Sequence, residues 1–263
     1  MSPMSNIFEI GLIQAQVFIL ALARVSAVFV TAPLFGSRNV PAQLKAGLAF
    51  IVTFIIFPII DRNLILPTDL VGYTLLIFQQ ILVGVIIGYA TYIIFAGIQL
   101  AGQIIDLQMG FGIVNVMDPM SNVQVSIIGQ FQFILAMLIF MAINGHHYLL
   151  QAVVDSFKIA PIGHVGITNE TVSKLADIFY QMFLIAFRIA APATVALLLT
   201  NVTLGFIART IPQMNVFMVG LPLNIVVGLA AVMISMPVII NLFSTLLAGM
   251  WNDIYYLIKS MRV

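Results

Sequence analysis

Residues 70–98 read LVGYTLLIFQQILVGVIIGYATYIIFAGI and contain no Asp, Glu, Lys or Arg. An apolar run of about 20 residues or more is long enough to cross the hydrocarbon core of a bilayer as a helix. Five further apolar runs lie on either side of it, at residues 7–32, 44–60, 123–143, 175–200 and 216–247. The sequence therefore predicts an all-α membrane protein with about six long hydrophobic helices.

The composition agrees with this fold class. Of the 263 residues, 62% are hydrophobic and 7% are charged, whereas soluble domains are about one quarter charged. The net charge of +1 and the absence of a Lys/Arg cluster exclude a nucleic-acid footprint. There is no cysteine, which removes disulfides, thiolate catalysis and cysteine-ligated metals. No basic residue precedes Arg24, so we expect the first apolar run to remain in the mature protein.

Prolines and small residues indicate how the helices pack. A proline inside a helix removes a backbone donor and bends the chain. Gly84 and Gly88 form a small-xxx-small pattern that permits close helix contact. We expect kinked helices that suit a wrapped assembly, with the bends at Pro33, Pro58, Pro192, Pro222 and Pro237.

The stretch 99–121, QLAGQIIDLQMGFGIVNVMDPMS, interleaves apolar residues with glycine and methionine and holds two acids, Asp106 and Asp118. Glycine allows unusual backbone angles, and methionine adapts to changing neighbours. Non-helical backbone at membrane depth is tolerated only where it is buried in protein or lines a cavity. We interpret the stretch as an adaptable constriction or seal. The alternative is a kinked interfacial connection whose methionines only fill space.

Three ionisable residues stand out: Arg24 and Arg188 fall well inside apolar runs, and Asp106 lies in the stretch 99–121. Such residues are functional candidates by default. Each arginine either faces a water-filled pore or pairs with carbonyls or with an acid of a neighbouring subunit. Asp106 has no acid or histidine at helical spacing, so the pattern does not indicate a proton relay.

Catalytic and metal-binding patterns are missing from the sequence. His146 and His147 are adjacent, so on a helix they point in different directions and cannot share a metal as an i, i+4 pair would. Neither HExxH nor GxSxG occurs. We expect no enzyme activity, no metal and no cofactor.

Several motifs together resemble one family. They are APLFGS at 32–37, VPAQLKAGLA at 40–49, LQMGFG at 107–112, Asp118-Pro119, FMAINGHHYLL at 140–150 and ARTIPQMNVFMVGLPLNI at 208–225. In this order they resemble the FliR family of flagellar biosynthesis proteins and, more loosely, the related SctT subunits of virulence-type type III secretion systems. The resemblance extends from about Phe18 to Tyr256.

The resemblance implies a core subunit of the flagellar type III export gate, in the bacterial inner membrane within the flagellar basal body. Members of the family assemble with FliP and FliQ into a helical hetero-oligomeric gate, with helices packed as hairpins, FlhB attached and FlhA nearby. Unfolded flagellar export substrates pass through it, and membrane lipid surrounds part of it. The family also holds its hydrophobic helices partly above the membrane plane.

The resemblance also divides the chain and assigns roles to residues. Residues 1–165 would be a FliP-like part that includes a plug loop at about 102–121, and residues 166–263 a FliQ-like hairpin with a C-terminal tail. The implied plug residues are Met109, Gly110, Phe111, Gly112, Val114, Met117 and Asp118. The implied hairpin tip comprises Arg209, Pro212, Gln213, Met214 and Asn215. The tip either contacts neighbouring subunits or substrate, or it merely caps two helices.

Two other functions remain open from the sequence. One is the homologous subunit of a virulence-type type III secretion system, which would form the same kind of channel for different cargo. The other is a secondary transporter with broken helices around a midplane site. A transporter would need intramembrane ligands, and the apolar runs offer little beyond Arg24 and Arg188.

Overall fold

The computed structural model describes residues 3–37, 40–60, 66–67, 69–111, 126–213 and 215–262. These residues form α1 (Pro3–Thr31), α2 (Ala42–Ile56), a 3-10 helix (Phe57–Ile59), α3 (Leu70–Met109), α4 (Ile127–Ala142), α5 (Gly145–Ile159), α6 (Asn169–Thr210) and α7 (Val216–Ser260). Within the described ranges there is no β-strand, and a single antiparallel bridge joins Val165 and Arg262. The all-α prediction is confirmed.

Among the described residues, five helical segments are long and apolar enough to cross a membrane: 11–31, 42–59, 70–109, 169–210 and 216–260. Helices α4 and α5 pass the same test only as a pair, and they are bent by 69° relative to each other. The bend is at Asn144, whose φ of 58° lies in the left-handed region. The prediction of about six apolar helices is confirmed, although the sequence analysis missed α5 as a separate helix.

The helices differ in two respects from the sequence prediction. The irregular stretch was placed from residue 99 and the plug loop from about residue 102, but α3 is helical as far as Met109. Three of the five prolines lie inside helices, at Pro192 in α6 and at Pro222 and Pro237 in α7. Pro33 and Pro58 instead follow the ends of α1 and α2, where the missing N–H breaks no helical bond.

The chain divides into two compact units. Unit 1 comprises Met1–Ile93, Asn144–Ile178 and Gly249–Val263. In it, α3 packs closely on α1: a Cβ at Gly84 would overlap the backbone of Arg24, and a Cβ at Gly88 would overlap Thr31. The small-xxx-small prediction is confirmed at this contact. The apolar core of unit 1 includes Leu20, Val25, Ile87, Leu149 and Leu257.

Unit 2 comprises Ile94–Ile143 and Phe179–Ala248. Its core is aromatic at one point, where Phe95 makes edge-to-face contacts with Phe133 and Phe140 at centroid distances of 5.8 and 5.6 Å. Elsewhere aliphatic side chains fill it, among them Ile105 and Leu197.

Helices α6 and α7 form an antiparallel hairpin, as contacts in each unit show. In unit 2, Asn224 Nδ2 donates to Asn201 Oδ1 at 2.9 Å. In unit 1, Lys174 Nζ lies 2.7 Å from Asp253 Oδ1. Thr168 caps the start of the hairpin, because its hydroxyl oxygen accepts the backbone N–H of Thr171 at 3.2 Å.

Candidate functional site

Arg24 is completely buried in unit 1 and is surrounded by acceptors from its own chain. Its Nε and Nη2 donate to Gln80 Oε1 at 2.9 and 2.5 Å. Nη1 donates to the backbone carbonyls of Ser156 and Ala160 at 2.9 and 3.1 Å and to Ser156 Oγ at 3.2 Å. The guanidinium carbon lies 4.3 Å from the centre of the Phe157 ring. Arg24 therefore joins α1 to α3 and α5.

The two carbonyls bound by Arg24 belong to the C-terminal end of α5. The last carbonyls of a helix have no partner within it, and the helix dipole favours a cation there. No carboxylate forms an ion pair with Arg24 in the described part of the chain. The guanidinium thus caps α5, with carbonyls and an amide as its acceptors.

Asp106 lies near the end of α3 and is 6% exposed. Its carboxylate accepts from Ser126 Oγ at 2.5 Å and from the backbone N–H of Ile128 at 3.2 Å. Ser126 is also the N-cap of α4, because its oxygen accepts from the N–H of Gly129 at 2.9 Å. Asp106 is therefore bound to the first turn of α4, where the positive end of the helix dipole favours an anion.

The described part of the predicted plug is the end of α3. Gly110 has a φ of 93°, a conformation that glycine adopts readily at helix ends. Met109 is fully buried, and its side chain lies against Gly228, where an added Cβ would overlap it. Phe111 is half-buried. The other predicted plug residues lie outside the described residues: Gly112, Val114, Met117 and Asp118.

The predicted hairpin tip is the exposed connection between α6 and α7. Asn215 Oδ1 accepts the backbone N–H groups of Phe217 and Met218 at 3.2 and 3.3 Å, so it caps α7. Arg209, Pro212 and Gln213 are exposed, and Met214 lies outside the described residues. The tip offers a charged and amide-bearing surface whose backbone is held by a cap.

Arg188 is exposed in the middle of α6. It makes no hydrogen bond or ion pair with another described residue. Exposed apolar side chains flank it on the same helix, including Leu184 and Phe187. Within unit 2, Arg188 and Asp106 do not pair with each other, and the partners of Arg24 lie within unit 1.

The described residues contain no group of three or more His, Cys, Asp or Glu that could hold a metal ion. The rings of His146 and His147 lie with centroids 4.2 Å apart at the start of α5. This arrangement is an aromatic contact.

Sequence reasoning missed the partners of the buried charges. Gln80 and Ser156 gave no signal in the sequence, because single polar residues in apolar helices are common. The two residues also lie 56 and 132 positions from Arg24 in the chain. Ser126 could have been found, since a serine directly before an apolar run is a helix-start signal. Asn144-Gly145 was a similar signal for the bend before α5.

These features define a class: an integral membrane protein of long apolar helices, with buried charges attached to helix ends. Within that class, the chain belongs to the bacterial export proteins, family 1, whose family model matches residues 15–250. It is 42% identical to the flagellar biosynthetic protein FliR of Bacillus subtilis, over 89% of this chain and 93% of that one. It is 34% identical to the FliR of Escherichia coli over 88% of each chain, and 32% identical to that of Pectobacterium carotovorum over 84% and 85%.

Proposed function

We propose that the chain is a core subunit of the flagellar type III export gate in the bacterial inner membrane, within the flagellar basal body. It forms with FliP and FliQ a closed channel entrance, with FlhB attached and FlhA nearby, through which unfolded flagellar proteins leave the cell. It takes no part in covalent chemistry, and other components supply the energy. Membership of a bacterial export family and similarity to flagellar relatives support this function.

The observation that carries the assembly is the length of the apolar surface on α6. Large apolar side chains are exposed from Phe179 to Phe206, with exposed fractions of 46% and 69% at these two ends. At about 1.5 Å per residue this surface is roughly 40 Å long. It would fit in a hydrocarbon core of about 30 Å only at a tilt of about 41°, at the limit of the usual range of roughly 0–40°. We infer that other protein chains cover part of it.

Arg188 supports the same conclusion. A charge in the centre of an apolar exposed surface is unfavourable against lipid and against an apolar partner. A neighbouring helix that carries a carboxylate would satisfy it. Unit 2 contains two acids, of which Asp106 is bonded within the chain and Asp118 lies outside the described residues. We therefore assign Arg188 to a contact with FliP or FliQ.

The plug remains part of the proposal. The sequence after Met109 contains phenylalanine, valine and methionine, whose apolar side chains we assign to a seal that excludes ions and yields to a passing polypeptide. Gly110 ends α3 and redirects the chain, and buried Met109 anchors the stretch to α7 through Gly228. The exposed hairpin tip, with Arg209 and Gln213, is assigned to subunit contacts, and residues 1–165 and 166–263 to the FliP-like and FliQ-like parts.

Co-purification tests the assembly. The tagged chain, expressed with its neighbouring genes and extracted in mild detergent, is expected to bring FliP and FliQ with it, as identified by mass spectrometry. Arg188→Glu should lower their yield at least several-fold, and Arg188→Lys, which keeps the charge, should lower it much less. A chain that elutes alone under these conditions would contradict the proposed function.

A genetic assay tests the cargo. Deleting the gene in a motile host should leave filament proteins inside the cell, and the parental gene should restore their export. Unchanged export of filament proteins in the deletion strain would contradict the flagellar assignment.

A further inference from the structure

Gln132 of α4 is a buried amide without hydrogen bonds. It is completely buried, and neither its Nε2 nor its Oε1 has a partner among the described residues. The other buried polar residues described in unit 2 are bonded: Asp106 accepts from Ser126, and Ser235 Oγ donates to the carbonyl of Val232 at 3.1 Å. A buried amide without partners costs free energy, because it has given up its hydrogen bonds to water. The folded state therefore carries a penalty at Gln132.

The penalty lies in the contact between α3 and α4. The buried residues of α4 recur every four positions and so line one face of the helix: Ile128, Gln132, Ala136 and Phe140. This face meets α3 at two points. A Cβ at Gly102 would overlap the backbone of Gly129, and the ring of Phe140 lies 5.6 Å from that of Phe95. Gln132 lies between these two points, in what we call the α3–α4 seam.

The two sides of Gln132 are held differently. On its N-terminal side, the Asp106 carboxylate binds the first turn of α4, and hydrogen bonds to a charged group are strong. On its C-terminal side, Phe95 makes edge-to-face contacts with Phe133 and Phe140. Such aromatic contacts are individually weaker than hydrogen bonds to a charge. The first turn of α4 is therefore anchored, and the seam from Gln132 onwards is its weaker part.

Separation of α4 from α3 beyond this first turn would relieve the penalty. Water would then reach both amide atoms of Gln132, whereas in the closed seam they have no partner among the described residues. The loss of apolar contact opposes the separation. The relief at Gln132 offsets part of that loss, so the seam opens at a lower cost than it would with an apolar residue at this position.

We propose that the α3–α4 seam is a joint poised to open: α4 pivots on its first turn, and Gln132 keeps the rest of the seam weak. The inference rests on the proposed export-gate function, in which a closed complex opens when a polypeptide passes. Gln132 acts through its lack of partners in the closed seam, and water supplies its partners in the open one.

Hydrogen exchange of the backbone amides of α4 tests the joint in the full chain in detergent, followed by mass spectrometry. Gln132→Met keeps the unbranched shape and the helix propensity and removes both polar atoms. Gln130→Met is the matched control, because Gln130 lies on the same helix and is exposed. We expect Gln132→Met to slow exchange from residue 132 to the end of α4 at least about fivefold, the factor that corresponds to one unsatisfied buried group. Gln130→Met should match the parent.

The sign of the change decides between two explanations of the buried amide. Gln132→Leu, of similar volume and without polar atoms, should also slow the exchange. Unchanged or faster exchange in both Gln132 variants would mean that the amide is satisfied in the closed seam, by a bound water or another group, and would overturn the proposal.

An export assay tests what the joint is used for. In the deletion strain, Gln132→Met should lower export of filament proteins severalfold while FliP and FliQ still co-purify, and Gln130→Met should not. Slower exchange with unchanged export would overturn the inference and leave the proposed function intact. A parental gene that supports no filament export would contradict the proposed function itself, whatever the exchange rates.

Discussion

Replacing Gln80 by leucine tests the buried Arg24 cluster. Gln80 is fully buried, and its Oε1 is the acceptor for both Nε and Nη2 of Arg24. Leucine has a similar volume and cannot accept, so two donors of a buried cation lose their partner. Each hydrogen bond to a charged group contributes about 1.5–3 kcal/mol, so losing both costs about 3–5 kcal/mol once removal of the buried, unpaired Gln80 Nε2 is counted. We expect Gln80→Leu to lower the free energy of unfolding by that amount, a large part of the roughly 5–15 kcal/mol typical of a domain.

The double variant gives the sharper result. In Arg24→Met/Gln80→Leu the cation is gone, so no charge is left buried without a partner. The Ser156 carbonyl keeps its bond from the N–H of Ala160 at 3.0 Å, and the Ala160 carbonyl loses the Arg24 donor. One unpaired carbonyl costs about 1–3 kcal/mol. The double variant should therefore be about 2 kcal/mol more stable than Gln80→Leu alone.

The chain supplies its own probe and control. Trp251 is the single tryptophan and lies in unit 1, with its ring 5.0 Å from that of Tyr148, so its fluorescence reports unfolding of the unit that contains Arg24. Gln79→Leu is the matched control, because Gln79 Oε1 is buried with no hydrogen-bond partner among the described residues. It should be neutral or stabilising in detergent unfolded with SDS. A Gln80→Leu effect below about 1 kcal/mol, or a double variant less stable than the single one, would refute the reasoning.

Three further substitutions follow from the same contacts, measured by the same unfolding assay except where stated. Gly84→Leu should destabilise unit 1 by several kcal/mol, because its side chain would overlap the backbone of α1; a stable variant would contradict the close helix contact. Gly205→Ala should stabilise α6 by about 0.5–1 kcal/mol, since no atom lies within 4 Å of the new Cβ. Unfolding followed by circular dichroism measures this change, and a loss of stability would contradict the free space around Gly205. Lys174→Met should cost at most about 1 kcal/mol, because the pair with Asp253 is partly exposed and screened; the loss should shrink in high salt, and a loss that does not shrink would contradict an electrostatic origin.

The number and apolar character of the helices could be predicted, because a run of about 20 apolar residues is long enough to cross a bilayer. The residues at which the helices end could not be predicted. The helix α3 continues through Gly102 as far as Met109, although the glycine suggested irregular backbone. The reason is tertiary: the absence of a Cβ at Gly102 lets α3 lie against Gly129, and this packing outweighs the low helix propensity of glycine. The sequence shows Gly102 but does not show that Gly129 packs against it.

The site was predictable to the level of single residues and not of pairs. Arg24 and Asp106 stand out because charge is rare in apolar runs, but their acceptors and donors are far away in sequence or are backbone groups. Asn215 shows the same limit. It was singled out through a family motif as a possible contact residue, and its side chain caps α7. A cap does not exclude a contact, so the role of the exposed tip stays a prediction.

The signs of the two buried charges follow from the helix ends that they bind. The first N–H groups and the last carbonyls of a helix have no partner within it, so a buried helix end needs partners from elsewhere. The N-terminus of α4 presents N–H groups and receives the anion Asp106, and the C-terminus of α5 presents carbonyls and receives the cation Arg24. Arg188 lies far from either end of α6, with no free helix end to bind, which is why its partner is to be sought on another chain.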